Sequence, residues 1–113
     1  MNDKVNVLGA EYKICVIARE ENPKFQNCDA YVDFTTKEIF IEKFIPDANS
    51  VKDLECYAKK VLRHEIVHAA LYESGMDCCS SSAEAWAINE EMIDWIAIQS
   101  PKLFKMFKEA DAL

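Results

Sequence analysis

Two periodicities divide the chain. Up to about residue 45 the apolar positions come in short runs or alternate with polar ones; beyond residue 50 they recur at helical spacing. Residues 11–18 carry the β-favouring run Tyr12-Lys13-Ile14-Cys15-Val16-Ile17. Residues 30–34 and 38–44 read as two further strands, joined through Thr35-Thr36-Lys37 as a tight hairpin. In the last strand Ile39, Ile41 and Lys43 alternate with Phe40, Glu42 and Phe44, so one face is apolar and the other mixed. That is the pattern of a sheet covered by helices on one side. Residues 20–26 hold Pro23 and several charges and read as a loop.

The helical half has its own punctuation. Ser50-x-x-Asp53 resembles a capping box after the break at Pro46, and Gly75 suits a left-handed helix end, so a helix is predicted over about 51–74. Ser81-x-x-Glu84 is a second such box, opening a helix over about 83–99. Ser100-Pro101 then opens a short third helix, about 101–109. The fold class predicted is α+β: a small N-terminal antiparallel sheet (about 11–45) followed by these helices, in a single domain spanning 1–113.

The first helix carries the chemistry. His64-Glu65-Ile66-Val67-His68 places two imidazoles four residues apart, hence on one helix face and able to aim at one point. Zn²⁺ prefers such nitrogens in tetrahedral geometry, and Glu65 stands beside the first of them, where it can act as general base on a metal-bound water. His64 and His68 are also the only histidines of the chain. The plain alternative is an amphipathic helix with two partly exposed histidines.

Catalytic zinc usually takes three protein ligands. The second helix reads Asn89-Glu90-Glu91-Met92-Ile93-Asp94, with Glu90 and Asp94 four apart beside an apolar stripe that includes Ile93 and Ala97. Carboxylates there are costly to bury unless paired or metal-bound. Glu90 is the preferred third ligand and Asp94 the acid that would orient a histidine ring. Glu91 is the alternative ligand; Glu84 and Asp77 stand further back, as does a site with no protein carboxylate.

Composition narrows the rest. A net charge of −7 argues against a nucleic-acid partner, no apolar run approaches a membrane span, and residues 1–10 lack the apolar core of a signal peptide, so the expected compartment is the cytoplasm. The cysteines, Cys15, Cys28, Cys56, Cys78 and Cys79, are odd in number and without a Cys-x-x-Cys pair. Free thiols are expected, with Cys15 and Cys28 packing as small apolar residues.

The histidine motif followed by Asn89-Glu90-x-x-x-Asp94 resembles the zincin metallopeptidases of the gluzincin type. Through Leu62-Arg63-His64-Glu65, Glu73-Ser74-Gly75 and the run from Asn89 to Trp95, the chain is also similar to small phage- and prophage-encoded proteins of Gram-positive bacteria. The resemblance implies His64, His68 and Glu90 as zinc ligands, Glu65 as base, Asp94 as supporting acid, and a minimal zincin fold. It also implies a peptide substrate laid along a sheet edge above the metal helix, for which the strands at 30–34 and 38–44 are the options. The chain departs from thermolysin-like enzymes in lacking their large substrate-binding domain. It also has no obvious oxyanion donor: Tyr12, Tyr31, Tyr57 and Tyr72 are present, and none is singled out. A peptidase with a narrow protein substrate is the leading expectation. A zinc-binding interaction protein without turnover and a non-peptidase metallohydrolase are the others.

Overall fold

In the computed structural model, which describes residues 1–80 and 85–113, the first half of the chain forms a four-stranded sheet: β1 (Lys4–Val7), β2 (Ala10–Ile17), β3 (Ala30–Asp33) and β4 (Glu38–Glu42). Two long helices follow, α1 (Leu54–Glu73) and α2 (Glu90–Glu109), with a 3₁₀ turn at Trp86–Ile88 before the second. The α+β class expected from the segment order is the class observed.

The sheet is mixed rather than antiparallel. Its order is β1-β2-β4-β3. The β3–β4 hairpin turns through Thr35 to Lys37, with the Asp33 carboxylate accepting from the Thr35 and Thr36 amides and the Lys37 backbone left-handed at φ 57°. β4 thereby comes to lie between β3 and β2, and it runs parallel to β2, pairing Ile14 with Ile39 and Val16 with Ile41. Side-chain alternation has the same period in either strand direction, so it gave no physical ground for the antiparallel sheet expected, and the β2–β4 pair corrects that expectation. Burial explains why β4 takes an inner position: Ile39 and Ile41 are fully buried against α1, each contributing roughly 1.5–3 kcal/mol.

β1 was not expected. Val5 and Val7 alternate with polar residues, and Leu8-Gly9 reverses the chain with both residues at positive φ (51° and 97°), the demand of a two-residue hairpin turn. Gly9 meets that demand without strain, and Leu8 bears it at the surface. The segment read as a loop, 20–26, falls largely within two 3₁₀ turns, Arg19–Glu21 and Pro23–Gln26.

Both helices start later than their sequence signals suggested. Asp53 is itself the cap of α1, its carboxylate accepting from the Cys56 amide, so Ser50 opens no capping box. Asn89 caps α2 by accepting from the Met92 amide, which puts Glu90 and Glu91 in the first turn, where the helix dipole favours acids. The proposed box Ser81-x-x-Glu84, and with it the start of the expected helix near residue 83, lies outside the described residues. At its far end α1 stops where expected, with Gly75 left-handed at φ 83°.

No helix break occurs at Ser100-Pro101: α2 runs through it to Glu109. A proline at 101 deprives the Ala97 carbonyl of its usual main-chain donor. Arg63 of α1 replaces that donor, its Nε–H bonding to the Ala97 oxygen at 2.5 Å. One side chain thus repairs α2 and ties the helices together beside His64. Arg63→Met should cost about 1–3 kcal/mol by leaving a part-buried carbonyl unpaired. Adding Pro101→Ala should recover much of the loss by supplying a main-chain N–H, a compensation that chemical denaturation of the single and double variants would measure.

Candidate metal centre

α1 presents His64 and His68 on successive turns toward the first turn of α2. The Nε2 atoms of the two rings lie 3.2 Å apart; His64 Nε2 is 3.0 Å from Glu90 Oε2, and His68 Nε2 is 3.1 Å from Glu90 Oε1. Ligands at Zn–N distances of 2.0–2.1 Å in a tetrahedron are separated by roughly 3.3 Å, so the observed spacings suit such an ion. These three residues are a group able to hold a metal. The donor set points the same way. His64 Nδ1 lies 3.0 Å from Asp94 Oδ1, a contact that a proton on Nδ1 satisfies, which leaves the lone pair on Nε2. That lone pair then faces a carboxylate oxygen. Two facing acceptors need a cation between them, either a second proton on the ring or a metal shared by all three residues.

Asp94 thus stands where sequence reasoning put it, one turn beyond Glu90 and bonded to a ring. Burial pushes its carboxyl up, yet the hydrogen bonds from His64 and Lys60 outweigh that and hold it below the usual range. Burial lowers the His68 imidazole, with Glu90 pulling the other way, so the ring favours the neutral form that a metal requires.

Glu65 is the one buried charged residue among those described, 7% exposed. Burial pushes its carboxyl up to about 7; His64 opposes the rise and Glu90 adds to it. It lines the same cleft as the histidines, a cavity of about 540 Å³ between β3 on one side and α1 with the start of α2 on the other. β3 is the outermost strand on that side of the sheet. Of the two strands considered for a substrate edge, it is therefore the one beside the cleft.

Glu91 is not brought to the histidines. It points to a separate hollow with Trp86, Met92 and Trp95, and both tryptophans are more than half exposed rather than packed on the acid-bearing face. Asp77 is not part of the cluster, and Glu84 lies outside the described residues. Among the tyrosines, Tyr12 is buried and donates to Glu73, while Tyr72 stacks on Phe34. Tyr31 and Tyr57 reach the cleft wall, where Tyr31 stacks on Phe40 and Tyr57 donates to Asp29, a bond that pushes its hydroxyl up to about 12. All five cysteines are free; Cys28 is exposed and lines the cleft instead of packing in the core. Sequence reasoning missed Asp29, Tyr57 and Lys60 as cleft residues. The helix spacing held the signal for two of them, since Tyr57 and Lys60 precede His64 by seven and four residues on one face.

Among the described residues no helix is long and apolar enough to cross a membrane. Comparison with protein-family models, curated proteins and solved structures finds no match.

Proposed function

We propose that the chain is a zinc-dependent peptidase of zincin type acting on a narrow set of protein substrates. The observation that carries this reading is the convergence of His64, His68 and Glu90 on one point, with Glu65 in the same cleft. His64, His68 and Glu90 would hold the ion, and Asp94 would keep the His64 ring in register. Zinc bound there supplies a Lewis acid that polarises a carbonyl and makes water nucleophilic near neutral pH. Glu65 takes the proton of the attacking water and returns it to the leaving amine. Its burial without a ligating role is a cost that metal binding alone does not require, and this favours turnover over a silent interaction module. The outer edge of β3 offers main-chain groups to an extended peptide, which would pass the cleft as an added strand.

The test has two parts. Untagged protein should contain one zinc per chain by elemental analysis, and a proteome-derived peptide library should show new termini that vanish on chelation. Zinc without cleavage would favour the interaction module; no zinc after supplementation would overturn the reading. The ligand set has its own check. Glu90→Ala should weaken zinc binding far more than Glu91→Ala, and Asp94→Ala should weaken it by roughly 10–100-fold. A larger loss at Glu91 would refute the assignment.

A further inference from the structure

We propose that Lys60 is a positioning residue for His64, acting through Asp94; the inference rests on the metal site proposed above. Lys60 Nζ lies 3.3 Å from Asp94 Oδ1, the same oxygen that lies 3.0 Å from His64 Nδ1. Asp94 is 39% exposed in its side chain and stands on α2, so the ring bond alone leaves its carboxylate free to swing about that contact. A second donor on the same oxygen removes that freedom. Lys60 is well placed to supply it. It sits one turn before His64 on α1, its side chain is only 27% exposed, and it is the only lysine or arginine lining the cleft among the described residues.

The ammonium is itself held. It lies 5.3 Å from the centre of the Tyr57 ring, a cation–π distance, and the Tyr57 hydroxyl donates to Asp29 just ahead of β3. A continuous line of contacts therefore runs from the sheet edge through Tyr57, Lys60 and Asp94 to the ring of His64. The positive charge of Lys60 also acts directly, by repelling a divalent ion. Positioning and repulsion have opposite signs, and only positioning requires the Asp94 carboxylate.

A double-mutant cycle separates them. Zinc affinity is measured by competition with a chromogenic chelator for wild type, Lys60→Met, Asp94→Asn and the double variant. Lys60→Met is expected to weaken binding about 3- to 10-fold, less than the 10–100-fold typical of losing the carboxylate itself. In the Asp94→Asn background the same change should leave affinity unchanged or raise it. Lys60→Arg, which keeps a positive charge and N–H donors toward Asp94, should weaken binding less than Lys60→Met. In ¹⁵N-imidazole spectra the His64 Nδ1 proton should exchange faster in Lys60→Met than in wild type. Lys60→Gln serves the same cycle if the methionine variant does not fold. An equal effect of Lys60→Met in both backgrounds overturns the inference while leaving the metal site standing. Failure of wild type to bind zinc overturns both.

Discussion

Glu65→Gln is expected to abolish peptide hydrolysis, by roughly 10²–10⁴-fold or more, while zinc content stays at one per chain. The amide matches the carboxylate in shape, and Glu65 is not one of the three residues of the candidate metal centre. What it loses is the ability to accept a proton. The same substitution should have an opposite effect on stability. Burial raises the Glu65 carboxyl from its ordinary value of 4.5 to about 7. The native state therefore keeps a proton that the unfolded chain has released, and the stability this confers is complete below about pH 4.5 and lost as pH climbs through 7. Each tenfold change in proton affinity is worth about 1.4 kcal/mol, so above pH 7 the buried charge costs the metal-free chain roughly 3 kcal/mol. Chelator-treated Glu65→Gln should accordingly melt above chelator-treated wild type at pH 8, with the gap closing by pH 4.5. Lost activity with no such pH-dependent gain would mean that Glu65 is not buried as a charge. Undiminished turnover would remove it as the base.

His64→Ala or His68→Ala should reduce bound zinc to background, because two remaining protein ligands seldom hold the ion firmly. Elemental analysis of the untagged variants, beside dialysed wild type, measures this directly. The fold should survive the loss. α1 packs on the sheet through Val61, Leu62 and Ile66, which stand near Ile39, Ile41 and Tyr12 in one apolar core, so most of the burial does not depend on metal. Circular dichroism should show helix retained at room temperature and a lower melting point after chelation. Complete loss of helix on chelation would show that the ion, rather than the core, organises the chain.

The elements legible in the sequence were those set by local geometry. Residues four apart share a helix face whatever surrounds them, so the juxtaposition of His64 with His68, and of Glu90 with Asp94, could be read directly, and the structure brings all four together. Period-two alternation likewise marked the strand at 38–44, and the burial of Ile39 and Ile41 follows it. What escaped depends on partners distant in sequence. Alternation does not record strand direction, so the parallel β2–β4 pairing was hidden, and β1 offers only two valines ahead of its turn. Asp53 and Asn89 cap the helices where more elaborate boxes had drawn attention to Ser50 and Ser81. Lys60 reads as an ordinary exposed lysine until Asp94 and Tyr57 are placed around it.

The Arg63–Ala97 bond places an order on how this chain can drift. While residue 101 is proline, position 63 has to keep a side chain that reaches across and donates to the Ala97 oxygen. A change at Pro101 that restores a main-chain N–H removes that requirement, since the carbonyl can then bond within its own helix. Loss of Arg63 is therefore tolerable after Pro101 has gone and costly before it. The two positions, 38 residues apart in sequence, form a one-way ratchet: descendants without a donor at 63 are expected to lack Pro101 as well, whereas descendants that lack Pro101 are free to keep or lose that donor.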